Sequence, residues 1–145
     1  MSDTQSYVAV STVTVAASQS DIWALWADVA GWPHWDDGLE KAEISGNFRA
    51  GTLFSLTPRG CANIGVRLTS VTSGEEFSDE AVLPFGTLRS FHRMEPVGSL
   101  IKLTHELQAD VRIDASERFD KEIWPRLQAG LAVAVNNIVD IVQAD

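Results

Sequence analysis

Six segments in the middle of the chain alternate apolar and polar residues with a period of two. They cover residues 40–45, 52–57, 63–72, 75–83, 87–95 and 100–109. Short turns that contain Gly, Pro or Ser separate the segments, as at Ser73 and Gly74. Strands that follow one another through short turns pair as antiparallel hairpins, and one face of such a sheet has to be covered. The alternation therefore predicts an antiparallel sheet that packs against helices.

The residues before this region predict one more strand and two short helices. Residues 7–16 (YVAVSTVTVA) are rich in β-branched residues and predict a strand, with a β-bulge near Ser11 where the apolar residues change phase. Residues 21–38 (DIWALWADVAGWPHWDDG) contain four of the five tryptophans and begin with apolar residues at helical spacing. We expect a helix with Ser20 as N-cap that ends at Gly31, and a second helical turn that Pro33 begins.

The C-terminal segment also has a helical period. From about Glu117 onward, six apolar residues form one stripe that is long enough to cross a sheet: Ile123, Leu127, Leu131, Val135, Ile138 and Val142. Ser116 is the expected N-cap, and Pro125 either marks the first turn or kinks the helix. The elements together predict an α+β fold. In it, a curved antiparallel sheet of six or seven strands wraps around a long C-terminal helix, with two short helices after strand one.

Composition and charge limit the classes of function. The 145 residues are expected to form one domain, with an ordered core of about residues 7–143. The net charge of −9 argues against nucleic acids and anionic membrane surfaces as partners. No apolar run reaches the roughly 20 residues of a membrane span, and the first residues lack the features of a signal peptide. Cys61 is the single cysteine, which excludes an intrachain disulfide, so a cytoplasmic location is expected.

Several short motifs lie in the predicted elements. They are residues 20–28 (SDIWALWAD), 32–36 (WPHWD), 51–52 (GT), 77–80 (FSDE), 91–93 (FHR) and 103–106 (LTHE). With the order of the elements, they resemble the helix-grip (SRPBCC) superfamily of START lipid-transfer domains, the major birch pollen allergen and polyketide cyclases. Within it, the chain resembles the bacterial polyketide cyclase/dehydrase-like group over roughly residues 8–143. The resemblance implies a cavity for a small lipid or polyketide-like ligand between sheet and helix, in a group that includes enzymes and binding proteins.

His92 and His105 are the candidate catalytic residues. Each lies on the apolar face of its predicted strand, and a tight hairpin at residues 96–99 would place the two side chains opposite or diagonal to each other. Two imidazoles in an apolar cavity can serve as general acid and base, which a cyclase or dehydrase needs to enolise a ketone and remove water. The alternative is that each is a core histidine bonded to a neighbouring hydroxyl or carbonyl.

The predicted cavity wall consists of apolar residues and one serine. The candidates are Trp32, Trp35, Phe54, Leu56, Phe77, Leu83, Phe85, Leu88, Ser90, Leu103, Trp124, Leu127 and Leu131. Ser90 is the expected hydrogen-bonding group for a ligand. Trp32 and Trp35 either cap the cavity or form its mouth, whereas Trp26 is expected in the core. In a closed version of the fold, the same apolar residues would simply fill the core.

The remaining polar residues predict neither a metal site nor a cofactor. Asp79 is the only acid whose strand phase points inward, which is too little for a metal site with the two histidines. No phosphate-binding glycine loop or dinucleotide motif occurs. Three arginines are expected on the outer face of the sheet, paired with surface acids: Arg67, Arg89 and Arg93.

Three functions remain open at this point. The leading one is a carrier or sensor that binds a small apolar or polyketide-like molecule without chemistry. The second is a cyclase or dehydrase that uses His92 and His105. The third is a chaperone-like interaction module with a filled core. A homodimer through an open sheet edge is also left open.

Overall fold

The computed structural model describes residues 3–143. Its strands are β1 (Thr4–Val15), β2 (Leu39–Ile44), β3 (Leu53–Pro58), β4 (Ile64–Thr72), β5 (Glu76–Leu83), β6 (Gly86–Val97) and β7 (Leu100–Arg112). They form one sheet in the order β1-β7-β6-β5-β4-β3-β2, and every neighbouring pair is antiparallel. The helices are α1 (Gln19–Ala27), a 3₁₀-helix (Val29–His34), α2 (Ile113–Arg118), a π-helical turn (Phe119–Ile123) and α3 (Trp124–Gln143). The predicted α+β helix-grip architecture is confirmed.

β1 is a regular edge strand. It pairs with β7 without a register shift, from Thr4 opposite Arg112 to Val15 opposite Ile101. The expected β-bulge near Ser11 is therefore wrong. The valines at positions 8 and 10, which suggested a change of phase, point away from the helices and are 60% and 54% exposed. Apolar side chains are often left exposed on protein surfaces, so these two valines did not mark the buried face.

The first helix begins and ends earlier than predicted. Its N-cap is Ser18, whose hydroxyl accepts a hydrogen bond from the backbone N–H of Asp21 (3.1 Å). Ser20, the predicted N-cap, lies inside the first turn, and α1 ends at Ala27. Both serines can accept from a free amide, so the choice between them depended on where the chain leaves β1.

Gly31 does not end α1. It lies with Pro33 inside the 3₁₀-helix that follows. A β-carbon at Gly31 would lie 2.4 Å from the Oδ2 atom of Asp28, so a side chain at this position would collide with that carboxylate. The Asp28 side chain is exposed and could rotate away from such a side chain, so this contact is a local one and Gly31 does not mark a helix end.

The C-terminal helical region begins at Ile113, directly after β7, and not near Glu117. The predicted N-cap, Ser116, lies inside α2, and its hydroxyl donates to the backbone carbonyl of Ile113 (2.8 Å). Among the described residues, no side chain caps the start of α2. The direct passage of the chain from β7 into α2 replaces the loop that the sequence suggested.

Pro125 marks the first turn of α3, one of the two predicted alternatives. The π-helical turn before it lets the N–H of Trp124 bond to the carbonyl of Phe119. Proline has no N–H and its ring crowds the preceding turn, so a locally wider helix accommodates it there.

The helices cover one face of the sheet, which we call the inner face. Two clusters of buried side chains lie there. The larger, the indole cluster, is centred on Trp26, Trp32, Trp35, Phe54 and Phe77. The second, the tyrosine cluster, contains Tyr7, Leu107, Ala109, Val111, Phe119 and Trp124. Residues of α3 contact both clusters, and the candidate site lies between them.

Candidate functional site

The polar residues of the inner face lie on three neighbouring strands. His92 on β6 is directly opposite Phe77 on β5 and His105 on β7. Two residues along β6, Ser90 is opposite Asp79 on β5. The centroids of the two imidazole rings are 4.5 Å apart and their planes are inclined by 70°. The β6–β7 hairpin therefore brings the two candidate catalytic histidines into direct contact.

Aromatic rings surround the two imidazoles. Phe77 stacks on His92 with ring centroids 4.0 Å apart and planes inclined by 5°. Trp26 lies 5.8 Å from His92 and 5.9 Å from His105, and Trp35 lies 5.8 Å from His105. Within residues 3–143, the buried atoms Nδ1 of His92, Nε2 of His105 and Nε1 of Trp26 and Trp35 have no hydrogen-bond partner. Buried polar atoms normally have a partner, so these atoms are candidates for contacts with a ligand.

Burial keeps both histidines neutral at physiological pH. It lowers the pKa of His105 from 6.5 to about 3. The pKa of His92 lies well below its usual value, first because of burial and then because His105 is close, while a hydrogen bond to the backbone of Phe77 opposes the shift. Neutral imidazoles can donate through one nitrogen and accept through the other. At neutral pH the pair is therefore a set of hydrogen-bonding groups and not a charged site.

Asp79 lies on the same face and is buried, with an exposed fraction of 6%. Burial raises the pKa of its carboxyl group to about 7, and a hydrogen bond with the Ser90 side chain partly offsets this shift. The register of β4 shifts between Leu68 and Ser70, next to the residue that pairs with Asp79. Such irregularities change the direction of nearby side chains and are frequent beside functional sites.

A cavity of about 230 Å³ lies between the sheet and α3. Its sheet wall includes Ser90, His92 and His105, and its helix wall includes Leu127 and Leu131. The other lining residues are Trp35, Asp36, Gly38, Leu39, Leu56, Pro58, Ile64, Leu88, Glu106, Leu107, Arg126, Gly130 and Ala134. The exposed residues among them, Gly38 and Arg126, place the mouth between the segment after the 3₁₀-helix and the start of α3.

The mouth carries charges of both signs. Asp36 is half-buried there, and its Oδ1 atom accepts from the backbone N–H of Gly38 (3.0 Å). Burial raises the pKa of the Asp36 carboxyl, the Gly38 hydrogen bond opposes this, and the neighbouring charge of Asp37 adds to it. Arg126 lines the same opening from α3.

The cavity brings together both predicted catalytic histidines and six of the predicted wall residues. These six are Trp35, Leu56, Leu88, Ser90, Leu127 and Leu131. The other predicted wall residues lie elsewhere on the inner face: Trp32, Phe54, Phe77 and Leu103 in the indole cluster, Leu83 against it, and Trp124 and Phe85 in or against the tyrosine cluster. Trp32 donates from Nε1 to the carbonyl of Trp26 (2.9 Å), which holds the 3₁₀-helix against α1.

Sequence reasoning missed part of the cavity wall. Leu107 follows His105 on the same face of β7, so the alternation itself was a signal for it. Gly130 and Ala134 follow Leu127 at helical spacing on α3 and could have been found in the same way. Asp36 and Arg126, in contrast, are brought together only by the tertiary fold.

Two other kinds of feature are absent from residues 3–143. There is no group of three or more His, Cys, Asp or Glu side chains that could hold a metal ion. In the same part of the chain, no helix has the length and apolar character that are needed to cross a membrane.

Comparison with known proteins identifies the fold. No protein-family model and no curated protein matches the sequence. A crystal structure of norcoclaurine synthase from Thalictrum flavum, in complex with dopamine and hydroxybenzaldehyde, is similar, with a TM-score of 0.70, 18% identity and coverage of 99% of this chain and 91% of that one. The di-domain ARO/CYC StfQ of the steffimycin biosynthetic pathway has a TM-score of 0.78 and 12% identity, over 95% of this chain and 51% of that one.

A protein from Thermus thermophilus is similar over 94% of this chain and 97% of its own, with a TM-score of 0.75 and 12% identity. At these identities the likeness establishes the fold. The chain therefore has the helix-grip fold that these structures share, and the fold that the sequence resemblance implied is confirmed.

Proposed function

We propose that the protein binds a small, mainly apolar molecule with one or two rings and at least one oxygen atom in the cavity between the sheet and α3. The observation that carries this proposal is the coincidence of two features. The cavity is mostly apolar, and the buried atoms without hydrogen-bond partners among the described residues belong largely to residues that line it.

The volume of the cavity limits the size of the ligand. An apolar cavity of about 150 Å³ is enough to bind benzene, whereas sites for drug-sized molecules begin at about 300 Å³. A cavity of about 230 Å³ lies between the two. Among the ligands that the resemblance implied, a small ring compound therefore fits better than a long-chain lipid or a large polyketide.

The unpartnered atoms indicate the chemistry of the ligand. The Nε1–H group of Trp35 can only donate a hydrogen bond, so it requires an acceptor. The two neutral histidines can each donate or accept. A carbonyl or hydroxyl oxygen meets both requirements, and a molecule without polar atoms would leave these groups unpaired at a cost of about 1–3 kcal/mol each.

The structural neighbours support this size and chemistry. Hydroxybenzaldehyde and dopamine, which the norcoclaurine synthase structure contains, are single-ring compounds with oxygen atoms. StfQ is named as a di-domain ARO/CYC of the steffimycin biosynthetic pathway. Because these proteins share the fold at low identity, they suggest a class of ligand and not a particular one.

A cavity-filling substitution tests the proposal. A β-carbon at Gly130 would meet no atom of the described residues within 4 Å, so Gly130→Leu can extend into the open space without a backbone clash. We expect 4-hydroxybenzaldehyde to bind the parent protein and quench the fluorescence of Trp35, and Gly130→Leu to weaken binding by at least about tenfold because it occupies the same volume. Isothermal titration calorimetry measures both affinities.

Ala132→Leu is the matched control because Ala132 is exposed on the same helix. This variant is expected to bind like the parent, and thermal unfolding should show that both leucine variants are folded. If Gly130→Leu binds as well as Ala132→Leu, the ligand does not occupy the cavity. If 4-hydroxybenzaldehyde and related single-ring aldehydes, ketones and alcohols all fail to bind the parent, the proposed function is wrong.

Acid–base catalysis by His92 and His105 is a second candidate function. In its favour, the two rings are 4.5 Å apart at the cavity and each has a nitrogen without a partner among the described residues. Against it, general bases work best with a pKa near the operating pH, and burial lowers the pKa of His105 to about 3. Binding is therefore the better supported of the two.

Deuterium exchange distinguishes catalysis from binding. An enolising enzyme would speed the exchange of the methyl protons of acetophenone in D₂O, which NMR follows directly. We expect the protein to bind acetophenone without accelerating this exchange. Acceleration that His105→Gln abolishes, with binding retained, would establish the acid–base role instead.

Other expectations from the sequence stay predictions: a single domain, a cytoplasmic location and a homodimer. An interaction module of the same fold would become the better proposal if the protein, purified from its own host, carried no small molecule in native mass spectrometry and also failed the binding test.

A further inference from the structure

Asp79 is a buried acid that no cation of residues 3–143 compensates. Its carboxyl group has one side-chain hydrogen-bond partner there, the hydroxyl of Ser90, and the pairing of β5 with β6 places the two residues directly opposite each other. Ser90 lines the cavity, whereas Asp79 does not. The carboxyl group therefore acts on the cavity only through the Ser90 hydroxyl.

The described groups that face Asp79 carry no positive charge near it. On β4 its partner is Leu68, and on β6 the neighbour of Ser90 on the same face is His92, which is neutral. His105 on β7, also neutral, lies one strand further. The charged residues of the cavity lining are Asp36, Arg126 and Glu106. Asp36 and Arg126 lie at the mouth, and the Glu106 side chain is paired with Arg93 on the outer face.

The basic residues of β4, β6 and β7 alternate with inward-facing residues and lie on the outer face of the sheet. They are Arg67, Arg89, Arg93, Lys102 and Arg112. Each of them forms an ion pair with an acidic residue. None of these five is available to Asp79.

A serine hydroxyl has a single proton, and its partner decides where that proton points. A protonated carboxyl group donates to the serine oxygen, which leaves the serine proton free to bond a ligand. An ionised carboxylate can only accept, so the serine hydroxyl donates its hydrogen bond to the carboxylate. The serine oxygen can then accept a hydrogen bond from a ligand, but the hydroxyl can no longer donate one to it.

We propose that the Asp79–Ser90 pair selects the kind of oxygen that the cavity binds: protonated Asp79 makes Ser90 a donor for a carbonyl oxygen, and ionised Asp79 makes Ser90 an acceptor for a hydroxyl group. This inference rests on the proposed function and adds a specificity determinant to it. Burial raises the pKa of Asp79 to about 7, so both states are reached near neutral pH. The neighbouring histidines stay neutral through that range.

Two probes of the same shape test the inference. Acetophenone can only accept a hydrogen bond, whereas 1-phenylethanol can also donate one. Their dissociation constants are measured by calorimetry from pH 5.5 to pH 8.5, and the ratio of ketone to alcohol is followed. We expect this ratio to rise by about tenfold with pH, since the ketone loses one hydrogen bond and the alcohol does not. Using the ratio cancels pH effects that are common to both ligands.

Two variants of the pair separate a specificity role from a structural one. Asp79→Asn removes the titration, and Ser90→Ala removes the hydroxyl, so in both variants the ratio should no longer depend on pH. Asp36→Asn is the matched control, because Asp36 is the other acid near the cavity with a raised pKa, and it should keep the pH dependence.

Three outcomes would count against the inference. A ratio that is constant with pH in the parent protein overturns it while the proposed function stands. A ratio that still changes with pH in Asp79→Asn assigns the effect to another group and also overturns it. If neither probe binds at any pH, this inference fails, and the proposed function fails with it only if 4-hydroxybenzaldehyde and the related single-ring aldehydes, ketones and alcohols also do not bind.

Discussion

The ionisable residues on the two faces of strands β5, β6 and β7 lie in opposite environments. On the outer face, Arg89 bonds to Glu80 at 3.0 Å and to Asp110 at 2.8 Å, with all three side chains partly exposed. On the inner face, Asp79 and His105 are almost completely buried, and neither forms an ion pair among the described residues. The residues that face out and those that face in alternate along the same strands.

The difference shows which polar groups stabilise the fold and which do not. Exposed ion pairs contribute little, because water already solvates the charges, and they shift pKa values toward the charged form. Hydrogen bonds from Arg89 and Ser6 accordingly lower the pKa of Asp110. Buried groups without an opposite charge are forced toward the neutral form and cost stability when they ionise. Polar groups retained at such a cost are candidates for function.

The largest expected effect is that of Asp79→Asn on stability at alkaline pH. The raised pKa of Asp79 means that the folded protein holds this proton more tightly than the unfolded chain. The contribution of Asp79 to the free energy of unfolding therefore falls as pH rises from about 4 to above 7. The shift from 3.8 to about 7 corresponds to roughly 4 kcal/mol at full ionisation. Asp79→Asn should raise the free energy of unfolding at pH 8 by up to this amount and change it little at pH 4.5, as urea titrations can measure.

Asp110→Asn is the outer-face counterpart of that variant. The lowered pKa of Asp110 gives the opposite sign, so the substitution should reduce stability at pH 8, by no more than about 1 kcal/mol for a partly exposed pair. If the two variants behave alike, the contrast between the faces does not hold.

An intermediate effect is expected for His105→Gln. The unfolded chain takes up a proton near pH 6.5, but the folded protein does not until about pH 3, so stability is lost as pH falls between these values. His105 alone should lower the free energy of unfolding of the parent protein by about 2 kcal/mol when the pH falls from 7 to 5. Urea titrations at the two pH values should show that loss reduced by the same amount in the variant. An unchanged loss would mean that His105 titrates like an exposed histidine.

The smallest effect is expected on the outer face. Arg89→Ala breaks the ion pairs with Glu80 and Asp110, but both carboxylates remain in contact with water. We expect a loss of at most about 1 kcal/mol that becomes smaller in about 1 M salt, because added ions screen exposed pairs. A loss of several kcal/mol that does not respond to salt would show that the outer face contributes to stability in the same way as a buried network.

The strands and their inward residues could be predicted from the sequence because alternation is a local property. His92 and His105 fall on the apolar side of their strands, and a two-strand hairpin leaves only a few registers for them. Where local signals were ambiguous, prediction was weaker. Ser18 and Ser20 are equally good caps, and the valines at positions 8 and 10 of the edge strand look like core residues although they are exposed.

The sequence by itself determined the order of elements, the helix-grip architecture and the inward direction of the histidines, because hydrophobic periodicity and turn residues act over short distances. Only the tertiary structure decided which inward residues line a cavity and which fill the core. Trp35 and Trp32 are near neighbours in one helical segment, yet one faces the cavity and the other packs between Phe54 and Phe77. That distinction depends on how closely α3 approaches the sheet at each point, which is set by side chains far apart in the chain.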